Sequence, residues 1–479
     1  MKRSWPIILI IVAYLFVGTL YAVYTPRWQV PDEPAHYNYI RALAEERSFP
    51  VMERQDYDQD YIGRLTSRGF PSELSIDPLT YEDHQPPLYY LLATPVYWLF
   101  DGDLLPLRLF SLVLGGFIVL LTALITLEVF PKHAFLAWLA AGLVAFLPQH
   151  MAMMAGVNND SLTEALLALW LMLALRYLRC AVRPLPLGVV LGLLLVTKTT
   201  GYVALPLALL VVGLRWQRGG LALRRALEHA LLVLVPALLL GGLWWGRNVV
   251  VYGWPDLLGL MAHNAAVVGQ PLTADFVARD GLLPFLVSAV RTTFRSFWGQ
   301  FGWMGVVLDS RIYLGALIFS ALALWGAGWQ LVEALRKDLK PRHHDALILL
   351  GSSTLLTVLL AVGYNVTFVQ HQGRYLFPAL PTLALATAVG LRRLTEKRLA
   401  VVTALILVVV VLVLGVMGLL RGDLSLWAMA LTGGAALILL VSGLLPRRWN
   451  SWLGGGLIVG LVALDLWCLF GFIVPILTQ

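Results

Sequence analysis

The ionisable and aromatic residues of this sequence concentrate in one polar segment, residues 25–104, which holds 14 of the chain's 28 carboxylates. The residues best suited to catalysis or binding lie near its two ends and are Asp32, Glu33, His36, Glu82, Asp83 and His84. A carboxylate beside apolar walls has its pKa raised toward the range of a useful general base, so Asp32 and Glu33 are candidate catalytic groups. The competing interpretation is a solvated loop with ordinary surface charge.

Further polar residues lie beside apolar runs later in the chain, namely Asp160, Lys198, His371, Arg374 and Tyr375. Lys198 and Arg374 have no carboxylate close in sequence, and such cations suit a phosphate or pyrophosphate group. Snorkelling of the side chain toward the membrane interface is the alternative.

Asp32 and Asp160 are also candidates for binding a divalent metal ion. Each has an alternative role as a helix cap: Asp32 for a helix running to about Arg47, and Asp160 for a helix starting at Ser161. The histidines do not show the local spacing of a zinc motif. The sequence therefore leaves a metal cofactor open.

The composition of the chain limits the kind of fold that can hold these residues. Of the 479 residues 59% are hydrophobic and only 13% are charged, whereas soluble domains carry roughly a quarter charged residues. Many apolar runs reach the roughly 20 residues that cross a bilayer. The sequence therefore predicts an all-α polytopic membrane protein. The net charge of +7 reflects basic clusters between spans and does not indicate nucleic-acid binding.

The basic clusters also predict the topology. Residues 87–100 are short for a span; if they stay at the outer interface as a juxtamembrane helix, 20 Lys and Arg residues fall inside and three in short outer loops. Lys2 and Arg3 then place the N-terminus in the cytoplasm. Two large extracytoplasmic loops result, residues 25–104 and 248–309, both with short interfacial helices. This choice predicts about 13 transmembrane helices, centred near residues 15, 117, 142, 170, 191, 207, 236, 322, 357, 383, 409, 434 and 463.

Several motifs resemble those of the GT-C membrane glycosyltransferases, in particular the protein O-mannosyltransferase and aminoarabinose transferase branch and uncharacterised bacterial GT-C-like proteins. The similar elements are Asp32-Glu33 after the first helix, His84-Gln85-Pro86-Pro87-Leu88-Tyr89-Tyr90, Asp160, Thr197-Lys198-Thr199-Thr200-Gly201 and the stretch from Gln372-Gly373-Arg374-Tyr375 to Pro381. The resemblance covers residues 1–390 as a catalytic module, and residues 391–479 form additional C-terminal helices.

The resemblance implies an inverting transfer of a hexose or pentose from a polyprenyl-phosphate or pyrophosphate donor, at the extracytoplasmic face of the plasma membrane. The acceptor would be a lipid, a glycan or a protein. Asp32 and Glu33 would be the catalytic residues, with Asp32 as the base that deprotonates the acceptor; Glu33 and Asp160 would shape the acceptor or a metal site, and Lys198 and Arg374 would bind the donor phosphate. The expected substrate-binding residues are His36, Glu82, Asp83, His84, Asp160, Lys198, His371, Arg374 and Tyr375. A lipid-linked glycan polymerase, or a lipid or glycan flippase or transporter, is the alternative.

Overall fold

A computed structural model describes residues 5–54, 56–267, 269–337, 340–446 and 450–478. The prediction of an all-α polytopic membrane protein is confirmed. Four basic residues that entered the topology argument, Lys2, Arg3, Arg447 and Arg448, lie outside the described residues.

The helices follow the chain from end to end with one small hairpin between them. They are α1 (Trp5–Tyr24), α2 (Glu33–Arg41), α3 (Gln59–Ser67), α4 (Leu88–Leu99), α5 (Leu104–Val129), α6 (Ala134–Ala145), α7 (Pro148–Met154), α8 (Asp160–Leu178), α9 (Pro184–Leu195), α10 (Ala204–Gln217), α11 (Leu223–Tyr252), α12 (Leu260–Ala266), α13 (Thr273–Asp280), α14 (Leu282–Trp298), α15 (Ser310–Arg336), α16 (Pro341–Thr367), α17 (Leu380–Leu394), α18 (Lys397–Arg421), α19 (Leu426–Leu444), α20 (Asn450–Cys468) and α21 (Val474–Leu477). Short 3₁₀ turns, Thr199–Val203 and Gly373–Ala379, lead into α10 and α17. The hairpin pairs β1 (Gln300–Phe301) with β2 (Val306–Val307) in antiparallel register.

The structure does not confirm the expected number of thirteen spans. Within the described residues, eleven helices are long and apolar enough to cross a membrane, or twelve if α6 and α7 count as one broken span. These two helices meet at an angle of 66°, where Pro148 opens α7 and ends the helical run before it. The segment near residue 191 is α9, whose 12 residues extend only about 18 Å, too short for the roughly 30 Å of hydrocarbon.

The first polar loop is a folded unit. It contains α2, which continues as one π turn (Ala42–Glu46), and then α3 and the expected short helix α4. Its buried apolar side chains form a small core of their own, Ala35, Met52, Ile62, Leu65, Leu79, Tyr81 and Ala266. The last of these belongs to α12, so the two large loops pack on each other. This packing excludes the interpretation of the first loop as solvated chain.

The second loop carries the expected short helices, α12 to α14, followed by the β-hairpin. A single bridge joins Leu272 to Phe368, and the amide of Val369 donates to the carbonyl of Pro271 at 2.9 Å. These bonds hold the connection between α16 and α17 against the loop. The 3₁₀ turn that carries Arg374 is therefore fixed from the loop side as well as from α17.

Two large buried cores support this outer layer. One gathers side chains of α4, α5, α8, α9, α10 and α16, and the other those of α1, α5, α6, α7 and α17. Because α5 contributes to both, it forms the shared wall of the bundle. Elsewhere α15 and α17 pack with little space between their backbones, since a Cβ atom at Gly390 would lie 2.1 Å from the carbonyl oxygen of Ala323. Small residues permit such close helix contacts in membranes.

Replacement of Gly390 by alanine should therefore force α15 and α17 apart, at a cost of about 1–3 kcal/mol typical of overpacking. The expected result is a lower thermal midpoint of the detergent-solubilised protein, measured by fluorescence-detected size exclusion. Gly328→Ala is the matched control on α15, since no described atom lies within 4 Å of an added Cβ there. Equal midpoints for the two variants would contradict the proposed contact.

Candidate active site

A polar cavity of about 230 Å³ lies where the two large loops meet the turn before α17. Its lining combines charged, amide and aromatic side chains. They include Asp32, Glu82, Arg374, Gln270, Gln370, Gln372, Tyr57, Tyr81, Tyr364, Tyr375 and Trp303. Amides, tyrosines and carboxylates around a pair of opposite charges suit a polar ligand that carries hydroxyl groups and an anion.

Asp32 is one of the charged residues that line this cavity. One of its oxygens, Oδ1, accepts from the Tyr81 hydroxyl at 2.9 Å, and the other, Oδ2, forms an ion pair with Arg374 Nη2 at 2.6 Å. Burial opposes the ionisation of Asp32, but the charge of Arg374 and the hydrogen bonds outweigh it and lower its pKa. Asp32 is thus an anion, and each of its carboxylate oxygens already has a partner.

The alternative of Asp32 as a helix cap is wrong. The residue precedes α2, but within the described chain its side chain makes no capping bond and is directed at Arg374 instead. Its backbone has φ 67°, in the left-handed region. This conformation costs on the order of 1–3 kcal/mol for residues other than glycine and is typical of functional sites. The expected helix to about Arg47 is confirmed as α2 and its π turn.

Arg374 is held by the 3₁₀ turn that precedes α17. The amide of the preceding Gly373 donates to Ser296 Oγ at 2.7 Å, and a Cβ atom at Gly373 would lie 2.2 Å from the amide nitrogen of Phe297. The guanidinium of Arg374 uses Nη2 for Asp32, whereas its buried Nε has no hydrogen-bond partner among the residues that the structure describes. An N–H donor therefore remains free for a ligand.

Asp160 and Lys198 form a second pair of opposite charges, with Nζ and Oδ1 2.7 Å apart. Lys198, which has no carboxylate close in sequence, thus pairs with one that is distant in the chain, and its side chain is only 15% exposed, which does not fit snorkelling. Asn158 rather than Asp160 caps α8, because its Oδ1 accepts from the Asp160 amide at 2.8 Å. This pair does not line the cavity, but its charges bear on the pKa of Glu82.

Glu33, the neighbour of Asp32, points away from the cavity into the protein. It is fully buried and paired with Arg108 of α5, with Nη2 to Oε2 at 2.6 Å and Nε to Oε1 at 2.8 Å. Main-chain groups complete the pair: Arg108 donates to the carbonyl oxygens of Ala22, Thr25 and Pro26, and Glu33 accepts from the amides of Trp28 and Val157. Its position is structural.

The Glu82-Asp83-His84 stretch divides between cavity and interior. Glu82 lines the cavity, and its Oε2 is buried without a partner in the described part of the chain. Asp83 and His84 are buried outside the lining; His84 Nδ1 lies 3.2 Å from the carbonyl of Tyr81. Burial, and then the charge of Asp56, raises the pKa of Asp83, whereas burial and the nearby His263 lower the pKa of His84.

Of the remaining predicted site residues, Tyr375 contributes to the cavity wall and two histidines do not. His36 lies behind it, with Nδ1 2.9 Å from the Tyr90 hydroxyl, and burial together with Lys198 lowers its pKa to about 3. His371 is turned away from the lining and packs on Phe285, with 5.0 Å between ring centroids. The structure thus brings together Asp32, Glu82, Arg374 and Tyr375, with Asp160, Lys198 and His36 close by.

The carboxylates present do not form a metal site. Asp32 is paired with Arg374 and Asp160 with Lys198, so each candidate ligand already faces a cation. Across the described ranges, no group of three or more His, Cys, Asp or Glu side chains is placed to share one ion. The candidate metal ligands Asp32 and Asp160 are therefore better explained as members of ion pairs.

Three kinds of residue in and behind this site were not among the predicted site residues. Arg108, a lone cation within an apolar span, carried a detectable signal, because such charges are costly and are usually paired. Tyr81 has no feature of spacing that distinguishes it from the other tyrosines of residues 25–104. The glutamines and tyrosines of the far cavity wall come from distant loops, and no local pattern marks Gln270 or Tyr364.

Comparison with known proteins identifies the architecture. Neither a protein-family model nor a curated protein sequence matches this chain. Among solved structures, ArnT from Cupriavidus metallidurans bound to undecaprenyl phosphate superimposes with a TM-score of 0.54 at 17% identity, over 99% of this chain and 77% of that one. Its apo structure gives a TM-score of 0.51 at 16% identity, over 100% of this chain and 77% of that one. The chain has the GT-C fold.

A second solved structure is less similar to this chain. The oligosaccharyltransferase of Archaeoglobus fulgidus, tethered to an acceptor peptide, matches with a TM-score of 0.47 at 14% identity, over 95% of this chain and 55% of that one. The likeness to ArnT extends over nearly the whole chain, and therefore includes the helices after residue 390. Most of the cavity lining comes from residues 25–104 and 248–309, the two large loops that the sequence predicts on the outer side of the membrane.

Replacement of Glu33 by glutamine should destabilise the protein strongly, because Arg108 would keep a buried charge without its counter-ion. Breaking a buried pair in this way costs about 3–5 kcal/mol. We expect a large fall in thermal midpoint in detergent. Asp77→Asn is the matched control, since it breaks the ion pair between Asp77 and Arg41. The carboxylate side chain of Asp77 is 61% exposed, and exposed pairs contribute about 0–1 kcal/mol. Similar midpoints for both variants would contradict the structural assignment of Glu33.

Proposed function

We propose that this chain is a membrane glycosyltransferase that moves a hexose or pentose from a polyprenyl-phosphate or pyrophosphate donor to an acceptor hydroxyl. The observation that carries the proposal is Arg374, which lines one cavity with two carboxylates, Asp32 and Glu82, and whose buried Nε has no hydrogen-bond partner among the described residues. A cation that is held by one anion and has a free N–H suits the phosphate of such a donor. The adjacent carboxylates suit the activation of a hydroxyl group.

The chemistry follows from this arrangement. The acceptor oxygen attacks the anomeric carbon of the sugar from the face opposite the phosphate, so the configuration inverts. The bond from the anomeric carbon to the phosphate oxygen breaks, and the electron pair leaves with the phosphate. Arg374, oriented beforehand by Asp32, stabilises the charge that develops there, which is the largest contribution that such a site makes. A cavity carboxylate takes the acceptor's proton, and the resemblance assigns this role to Asp32.

The other site residues support the two substrates. Asp160 and Lys198 lie close enough to adjust the charge of the cavity and to approach a second phosphate oxygen after a side-chain movement. The tyrosines and glutamines of the far wall, among them Tyr375 and Gln270, offer stacking and hydrogen bonding to a sugar. Glu33 supports the site from behind through Arg108.

The donor class is supported by two observations of different kinds. The chain shares its fold with ArnT, which was solved with undecaprenyl phosphate. The cavity also lies at one end of a bundle of membrane helices, where a prenyl chain can remain in the bilayer while its phosphate reaches Arg374. We propose that this end faces the extracytoplasmic side of the plasma membrane, an orientation that the basic clusters of the sequence favour. The acceptor is a lipid, a glycan or a protein.

Asp32→Asn should reduce sugar transfer at least tenfold, because the variant loses the charge that orients Arg374. The measurement is transfer of radiolabelled sugar from undecaprenyl-phosphate-linked hexoses and pentoses in membranes that carry equal amounts of each protein. Equal product from wild type and variant would remove Asp32 from the reaction. No product from wild type with any donor would favour a flippase or a polymerase, which a lipid-flipping assay on the same membranes would separate.

Arg374→Ala should weaken the binding of undecaprenyl phosphate itself more than tenfold, since charge-assisted bonds to phosphate are about twice as strong as neutral ones. Binding is measured on protein in nanodiscs by native mass spectrometry over a titration of the lipid. Arg421→Ala, at the end of α18 and away from the cavity, is the control for general loss of positive charge. An unchanged affinity in Arg374→Ala would remove the phosphate role of Arg374.

A further inference from the structure

Glu82 differs from Asp32 in how its oxygens are used. Both oxygens of Asp32 are occupied, one by the Tyr81 hydroxyl and one by Arg374. Glu82 lines the same cavity, but its buried Oε2 accepts no hydrogen bond from any residue that the structure describes. A buried polar atom without a partner costs about 1–3 kcal/mol. Its presence at the wall of a ligand cavity points to a partner that arrives with the ligand.

The surroundings of Glu82 also favour proton uptake. Burial, and then the negative charge of Asp32, raises its pKa to about 8, with a smaller contribution from Asp160 in the same direction. Lys198 and Arg374 partly oppose these effects. A general base works best when its pKa lies near the working pH. Glu82 meets this condition, whereas Asp32, whose pKa is lowered, holds a proton poorly.

We propose that Glu82 is the catalytic base that takes the proton of the acceptor hydroxyl, and that Asp32 is a positioning residue that holds Arg374. This inference rests on the proposed glycosyl transfer and refines it. Asp32 also acts on Glu82 at a distance, because its charge increases the proton affinity of the neighbouring carboxylate. Both carboxylates are therefore needed, but only one of them exchanges a proton with the substrate.

The step balances as follows. The acceptor O–H bond breaks as its oxygen forms a bond to the anomeric carbon, and the proton passes to Glu82. The bond between the anomeric carbon and the phosphate oxygen breaks at the same time, and its electron pair leaves with polyprenyl phosphate, where the free Nε–H of Arg374 donates. Protonated Glu82 then releases its proton to water when the products leave the cavity.

The first test is the pH dependence of transfer from undecaprenyl-phosphate-linked hexoses and pentoses, followed as undecaprenyl phosphate released in membranes. For wild type, kcat/KM should rise about tenfold per pH unit and level off near pH 8, as Glu82 loses its proton. Glu82→Gln should lose about 100-fold or more, the usual contribution of a general base, together with the acid limb. Asp32→Asn should keep measurable transfer, with its acid limb moved to lower pH because one negative charge is gone.

Glu73→Gln is the matched control, since it makes the same change in the same loop on an exposed residue that pairs with Arg68. It should leave both rate and pH profile unchanged. An acid limb that survives in Glu82→Gln, or transfer within threefold of wild type, would overturn the assignment. So would an acid limb in Asp32→Asn that does not move.

A second measurement needs no substrate. Infrared difference spectroscopy of the purified protein in nanodiscs, titrated from pH 6 to pH 10 (about two units on either side of the value expected for Glu82), should show a carboxyl group that loses its proton near pH 8. That signal should be absent from Glu82→Gln and shifted down in Asp32→Asn. Persistence of the signal in Glu82→Gln would overturn the proposal. If wild type transfers no sugar from any donor, the proposed function fails, and the infrared titration then decides separately whether Glu82 is the titrating group.

Discussion

The buried ion pair between Glu33 and Arg108 is the interaction on which the geometry of the site depends. It joins the end of α1, the start of α2 and the outer part of α5, and it reaches Val157 in the turn before α8. Arg108 also satisfies carbonyl oxygens that the end of a helix would otherwise leave unpaired. Such a pair contributes little net stability, but losing one partner leaves a buried charge. It therefore favours one arrangement of these elements over others.

The ion pairs nearer the cavity neutralise charge at the end of the helix bundle. Two cations and three carboxylates lie close together at one end of a membrane bundle, where unpaired charge is expensive. Pairing Asp32 with Arg374 and Asp160 with Lys198 neutralises four of the five groups. Glu82 is the remaining one, and its raised pKa keeps it largely protonated at neutral pH. The site is thus nearly neutral before an anionic ligand enters, while Arg374 Nε has no partner that would compete with the phosphate and Glu82 Oε2 none that would compete with the acceptor hydroxyl, among the described residues.

The sequence predicted the parts of this site that local pattern can encode. Composition and apolar runs predicted the membrane bundle. The unusual polar residues were predicted to form one site, and Asp32, Glu82, Arg374 and Tyr375 line the same cavity, whereas Asp83, His84 and His371 do not. Pairing could not be predicted, because Asp32 and Arg374 are 342 residues apart in the chain. The expected count of spans was not confirmed, because hydropathy does not show that Pro148 bends a helical run or that α9 is too short.

The divergence of Asp32 and Glu33 shows how two adjacent carboxylates acquire opposite roles. The left-handed backbone at Asp32 turns its side chain toward Tyr81 and Arg374, while Glu33 begins α2 and directs its side chain into the core. In a continuous helix adjacent side chains lie about 100° apart around the axis, and the left-handed residue at Asp32 breaks that regularity just before α2. Because Glu33 is anchored by Arg108, the strained residue beside it cannot relax. The buried pair thus maintains the conformation that presents Asp32 to the cavity, and through Asp32 it sets the position of Arg374 and the proton affinity of Glu82.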